Sequence, residues 1–210
     1  MRTELIGAPA YATLAVDLSP GESITAEAGA MMSMEGDVEL KTKSGGLFKA
    51  LTTKEPLFRN TFEAKSDARI LLSPSVPGDI VHIKLTQPVT INSACYLAHT
   101  GDVEFKTVWK GLKGMIGGGG MFWLQARGTG DLWLNAYGQI IEKDIRPGDK
   151  FMADNTHLVA MEESVTWKTR KLGGMKTFMF GGEGFVFEVG GQGKLHLQTR
   201  NPSIFFVKTK

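Results

Sequence analysis

Hydrophobic and polar residues alternate with a period of two along short stretches of the chain. Three of these stretches share one pattern, with an apolar residue at every second position: 37–41, 102–106 and 164–168. Such alternation is typical of β-strands that bury one face. No long apolar stripe with the 3.6-residue period of a helix occurs, so the sequence predicts a nearly all-β protein.

A turn and a glycine-rich segment accompany each of these strands. Proline followed by glycine precedes the strand at residues 20–21, 77–78 and 147–148. This pair is typical of a type II turn, whose second central residue needs a positive φ. Glycine-rich stretches then follow each strand, and they account for many of the 26 glycines.

The strand that closes each copy carries a leucine at the same place. Leu72, Leu134 and Leu197 lie 62 and 63 residues apart. A spacing this regular predicts three β-sheet repeats that bury one another's apolar faces around a pseudo-threefold axis. We expect one domain made of three repeats with these approximate bounds: 1–73, 74–135 and 136–210.

Several ordered motifs point to a known family. They occupy residues 76–79, 154–160, 181–184 and 197–202. Together they closely resemble the prokaryotic branch of the altered-inheritance-of-mitochondria / mitochondrial biogenesis family, over roughly Gly21 to Asn201. The resemblance implies a triplicated fold of the double-stranded β-helix class, similar to the trp RNA-binding attenuation protein. It also implies a family whose prokaryotic members have no established biochemical activity.

Composition places the chain among folded globular proteins. Hydrophobic residues make up 42% and charged residues 22% of its 210 positions. Cys95 is the single cysteine, which excludes an intrachain disulfide, and no stretch approaches the roughly 20 apolar residues of a membrane-spanning helix. We expect a cytoplasmic protein, with peripheral contact to a membrane surface left open.

A metal-dependent or small-molecule enzyme of the cupin type is the first alternative. Such a site needs two histidines alternating on one strand, but lysine at position 84 stands where a second histidine would follow His82. The remaining histidines show no paired spacing. We therefore expect no metal, no cofactor and no catalytic activity.

Three polar residues within the family motifs are candidates for a ligand site. Asp154 and His157 lie three residues apart and could form an acid and base pair, or could hold a turn and bind backbone groups. Glu183 stands between glycines and has the same two interpretations. The structural interpretation is favoured for all three.

RNA binding is the second alternative, because the fold analogy points that way. Basic residues recur after the alternating strand of each repeat, and Lys41, Lys106 and Lys168 are examples. The net charge is only +2, so acidic residues balance them. A solvated edge that discourages sheet aggregation is the favoured interpretation, and we expect no nucleic acid partner.

Apolar side chains near the glycine-rich stretches form the last candidate site. The residues singled out are Met115, Phe122, Trp123, Phe178 and Phe180. Flexible methionine and aromatic surfaces suit protein partners, contacts between copies or an anionic membrane surface, although the same residues could close the core. The sequence as a whole predicts a non-catalytic β scaffold or binding module that forms a homo-oligomer, with a trimer as the expected state.

Overall fold

The computed structural model describes residues 1–42, 57–110, 122–171 and 185–202. Within these ranges the chain forms eighteen β-strands, two short 3-10 turns and no α-helix. The prediction of a nearly all-β protein is confirmed. No helix in the described ranges is long and apolar enough to cross a membrane.

The strands fall into three successive segments. The first segment contains β1 (Arg2–Ile6), β2 (Thr13–Leu18), β3 (Ser23–Glu27), β4 (Met31–Glu35), β5 (Val38–Thr42), β6 (Arg59–Ala64) and β7 (Ala68–Leu72). The middle segment contains β8 (Ile80–Leu85), β9 (Val89–Asn92), the turn Ser93–Cys95, β10 (Tyr96–His99), β11 (Asp102–Lys110) and β12 (Phe122–Asn135). The last segment contains β13 (Ile140–Ile145), β14 (Phe151–Asp154), the turn Asn155–His157, β15 (Leu158–Glu162), β16 (Val165–Lys171), β17 (Phe185–Gly191) and β18 (Gly193–Gln198).

Each segment forms two antiparallel half-sheets with the same pairing order. In the first segment β2 and β4 flank β7, while β3 and β5 flank β6. In the middle segment β8 and β10 flank one half of the long strand β12, while β9 and β11 flank its other half. In the last segment β13 and β15 flank β18, while β14 and β16 flank β17.

Strands also pair across the segments, and always in the same way. β10 of the middle segment pairs with β3 of the first, and β15 of the last segment pairs with β9 of the middle one. These contacts merge four half-sheets into one eleven-stranded sheet. The two half-sheets left over are the four-stranded sheet β1-β2-β7-β4 and the three-stranded sheet β14-β17-β16.

Three hydrophobic clusters form the core, and each is completed by a neighbouring segment. The first cluster contains Leu14 and Ile70, and Trp133 of the middle segment packs into it. The second contains Ile91 and receives Val159 from the last segment. Because each cluster uses side chains from at least two segments, the segments stabilise one another.

The Pro-Gly turns differ in a way that the sequence pattern did not predict. Gly21 and Gly148 have φ angles of 86° and 90°, as a type II turn requires. Gly78 is not in this region, and it forms a parallel bridge with Gly138. A Cβ atom at Gly78 would lie 2.0 Å from the Ala136 carbonyl oxygen, so glycine is needed there for close approach of two backbones.

The described strands of the three segments share one pairing order, so each strand from β2 onward has a counterpart in the other two segments. Other expectations stay predictions of the sequence. They are the descent of the three segments from one copied unit, the repeat bounds, the pseudo-threefold arrangement and the likeness to the trp RNA-binding attenuation protein.

Candidate assembly interface

Four of the eight candidate site residues lie outside the described residues. These are Met115, Phe178, Phe180 and Glu183. The structure places the other four, Asp154, His157, Phe122 and Trp123, in the middle and last segments.

Asp154 and His157 both bind backbone groups. Asp154 caps the turn Asn155–His157, where its Oδ1 accepts a hydrogen bond from the Thr156 backbone N at 2.8 Å. His157 Nδ1 lies 2.8 Å from the backbone oxygen of Gln198, to which it can donate. Both contacts are those expected of residues that hold β14, β15 and β18 together, so the geometry gives no support to an acid and base pair.

Trp123 is not a surface residue. Its side chain is fully buried, with ring centroids 6.4 Å from Trp167 and 5.7 Å from Phe187. The interpretation of Trp123 as part of an exposed docking surface is therefore wrong. Phe122, its neighbour on β12, points the other way and is 38% exposed, as strand alternation dictates.

The histidines near the cupin-like stretch are each held by a different carboxylate. His82 Nε2 lies 2.7 Å from Asp131 Oδ1, and His196 Nε2 lies 3.5 Å from Glu142 Oε2. Burial lowers the pKa of His196. In the part of the chain that the structure describes, no group of three histidine, cysteine or acidic residues is placed to hold a metal ion.

Cys95 has the environment of a small hydrophobic residue. It is buried beside β9 and β10, and burial raises the pKa of its thiol to about 12. Since the thiolate is the nucleophilic form, this side chain is poorly reactive at neutral pH.

The contact between β3 and β10, here called the first junction, is sealed by side chains from two segments. Tyr96 Oη donates to the backbone oxygen of Thr25 at 3.2 Å and lies 2.7 Å from His99 Nδ1. The Phe105 ring meets the rings of Tyr96 and His99 edge-on, and the Arg59 guanidinium lies 5.2 Å from its centroid. Tyr96 and His99 are buried as a result.

The contact between β9 and β15, here called the second junction, has the same register. Ala98 lies opposite Ala26 and His99 opposite Thr25 at the first junction. At the second junction, Ala160 lies opposite Ile91 and Met161 opposite Thr90. Strands β10 and β15 also carry a bulge at the same place, after their first residue.

Strand β4 occupies the corresponding place in the first segment. Its first residue, Met31, lies opposite Leu72, just as Tyr96 lies opposite Leu134 and Leu158 opposite Leu197. A bulge follows Met31, as it does in β10 and β15. Position by position, β4 is therefore the counterpart of the two strands that form the junctions.

The side chains of β4 are exposed where those of its counterparts are buried. Met31, Met32 and Met34 are 44%, 59% and 40% exposed. Their counterparts are at most 3% exposed: Tyr96, Leu97 and His99 in β10, and Leu158, Val159 and Met161 in β15. Leu40 on β5 is likewise exposed, whereas its counterparts Phe105 and Trp167 are partly buried.

Strand β14, in the last segment, also exposes a residue whose counterparts are buried. It corresponds to β3 and β9, and its Met152 is 46% exposed, whereas the matching Thr25 and Thr90 are 9% and 7% exposed. Among the described residues, the second edges of β4 and β14 have no strand partner. These two free edges correspond to the strand edges that pair at the first and second junctions.

The last residue of β3, Glu27, has a carboxyl group with a raised pKa. Burial raises the pKa of Glu27 to about 7. Between about pH 4.5 and pH 7 the folded chain therefore keeps a proton that the unfolded chain has lost, so the free energy of unfolding falls as pH rises through this window.

We expect Glu27→Gln to flatten the pH dependence of the free energy of unfolding and to be more stable than the parent at pH 8, measured by urea unfolding between pH 5 and pH 8. Parallel pH profiles for the two proteins would contradict it.

Fold and junctions together define an all-β protein in which one large sheet is shared by three successive segments. The chain belongs to the family described as Mitochondrial biogenesis AIM24, whose model matches residues 3–200. This confirms the resemblance in the sequence motifs.

Two relatives extend the comparison. An uncharacterized protein of Streptococcus pyogenes serotype M6 is 26% identical over 200 residues, which cover 89% of this chain and 80% of the relative. The crystal structure of protein SPYM3_0169 from Streptococcus pyogenes matches with a TM-score of 0.82 and 25% identity, covering 97% of this chain and 95% of that one.

Proposed function

We propose that this protein is a non-catalytic scaffold that assembles with copies of itself through the free edges of β4 and β14. One observation carries the proposal: positions that are buried at both internal junctions hold exposed methionines on these two strands. A free strand edge with exposed apolar side chains is a pairing surface, which natural proteins normally cover or blunt.

The free energy that one contact between copies can contribute favours a closed assembly over an open chain of copies. Fully burying one such apolar side chain contributes roughly 1.5–3 kcal/mol. Five of them, Met31, Met32, Met34, Leu40 and Met152, are about half exposed, so one contact contributes on the order of 5 kcal/mol. Association costs about 4–15 kcal/mol in lost freedom of motion, so a single contact is weak. A closed ring has one more contact than it has association steps, and this stabilises it over open chains.

The proposed state is a ring of three copies. Contact of the assembled scaffold with a protein partner or an anionic membrane surface is also part of the proposal. Val108 and Phe122 support it, because both are exposed near the same end of the antiparallel pair β11 and β12.

Light scattering on the purified full-length protein tests the assembly. We expect a mass that is a multiple of 22.9 kDa, three copies in the proposed state, and a loss of mass on dilution. A single species of 22.9 kDa at micromolar concentration would overturn the proposal.

A further inference from the structure

We infer that β4 of one copy pairs antiparallel with β14 of a second copy, with Ser33 opposite Ala153 and Met34 opposite Met152. The inference rests on the proposed self-association and specifies its contact. The pairing would join the sheet β1-β2-β7-β4 to the sheet β14-β17-β16 of the next copy, giving a continuous seven-stranded sheet.

The register on the β4 side follows from the bulge. Ala98 and Ala160 are the first paired residues after the bulges of β10 and β15, and they lie opposite Trp133 and His196. Ser33 holds the same place after the bulge of β4, opposite Leu71. Ser33 is therefore the residue of β4 that takes the position of Ala98 and Ala160 in a junction.

The register on the β14 side follows from chain spacing. Ala26 and Ile91, the partners of Ala98 and Ala160, precede Met31 and Tyr96 by five residues. Ala153 precedes Leu158 by the same five residues. Ser33 and Ala153 are both small, like the pair Ala98 and Ala26 at the first junction, and the second junction pairs Ala160 with the larger Ile91. The place therefore accepts the pair Ser33 and Ala153.

Pairing of two identical edges is the competing arrangement. At both internal junctions, however, a strand of the β4 type meets a strand of the β3 type and not its own kind. A β4 edge that meets β14 buries Met34 against Met152, and both methionines are exposed in the single chain. Head-to-tail pairing therefore covers both free edges with one contact, repeated from copy to copy.

Cysteine cross-linking tests the register in the full-length protein. Met34→Cys and Met152→Cys are made as separate chains, given tags of different size, co-expressed and oxidised. Directly opposite residues in an antiparallel pair have Cα atoms about 4.5–5.5 Å apart, within the range for a disulfide. We expect a disulfide-linked species containing both tags. Cys95 stays in place, because its buried thiol has a pKa of about 12.

A chain carrying both substitutions adds a count of copies. We expect a ladder of covalent species whose largest member gives the number of chains in the ring. The matched control pairs Met34→Cys with Ile141→Cys, because Ile141 is 49% exposed but lies on β13, which belongs to a different sheet from β14. We expect no mixed species from the control pair beyond background.

Each other outcome overturns the inference in a distinguishable way. A Met34→Cys chain that cross-links mainly to itself shows pairing between two β4 strands. A fast-migrating monomer from the double variant shows that the two edges close within one chain. Absence of the mixed disulfide with an unchanged assembled mass refutes the register alone, whereas a monomeric parent protein refutes the proposed function as well.

Discussion

Met34→Glu is expected to reduce the mass of the protein in solution to that of one chain, 22.9 kDa. In the proposed pairing Met34 lies opposite Met152, so the substitution places a carboxylate beside an apolar side chain in a contact that buries both positions. Desolvating an unpaired charge costs several kcal/mol, and a penalty of about 3 kcal/mol weakens each contact on the order of 100-fold. Because Met34 is 40% exposed in the single chain, the fold itself should tolerate the change. Light scattering at micromolar concentration gives the mass, and circular dichroism verifies the fold.

Ile141→Glu is the matched control for this substitution. Ile141 is similarly exposed, on β13, which takes no part in the proposed contact. We expect it to leave the assembled mass unchanged. If Met34→Glu stays assembled, or if Ile141→Glu dissociates equally, then the methionines of β4 are not the contact between copies.

The alternation of apolar and polar residues was enough to predict the central strand of a half-sheet in each segment. β7, β12 and β18 carry Leu72, Leu134 and Leu197, which the sequence placed at equivalent positions 62 and 63 residues apart. Each of these leucines lies opposite the first residue of a junction strand or of its counterpart β4. Period-two alternation is a property of the strand itself, so it can be detected without knowing the partner strand.

The free edges could not be predicted in the same way. Strand β4 contains three methionines within four residues, Met31 to Met34, yet the sequence pattern favoured the glycine-rich stretches as the exposed apolar surface. Buried and exposed strands with this composition have similar sequences, because the exposure of a strand depends on which other strand lies beside it. A comparison of Met31 with Tyr96 and Leu158 would have given the signal, but their equivalence becomes visible only through pairing with Leu72, Leu134 and Leu197.

Asp154 shows a different limit of sequence reasoning. Its spacing from His157 fits both a catalytic pair and a capped turn, and the choice depends on the backbone oxygen of Gln198, 41 residues beyond His157. Asn92 occupies the corresponding cap of the other 3-10 turn, where its Oδ1 accepts a hydrogen bond from Ala94 N. A cap that recurs at two corresponding turns favours a structural role for the motif.

Trp123→Ala is expected to be the most destabilising single substitution in the described part of the chain. Trp123 lies on β12 where the middle and last segments meet, packed against the stacked rings of Trp167 and Phe187, with no exposed surface. Removing a buried indole loses its transfer free energy and leaves a cavity, at a cost of about 3–5 kcal/mol. The loss should appear as a lower urea midpoint, followed by circular dichroism.

Two further variants keep this prediction testable even if the alanine variant does not fold. Trp123→Phe retains a ring in the gap and is expected to lose about 1–2 kcal/mol. Phe122→Ala removes the adjacent, 38% exposed ring and should lose less than about 1 kcal/mol. Equal losses at positions 122 and 123 would contradict the burial of Trp123. Because this ring joins the last segment to the middle one, its loss should also weaken assembly, since β14 is then held less firmly in the position that pairs with a second copy.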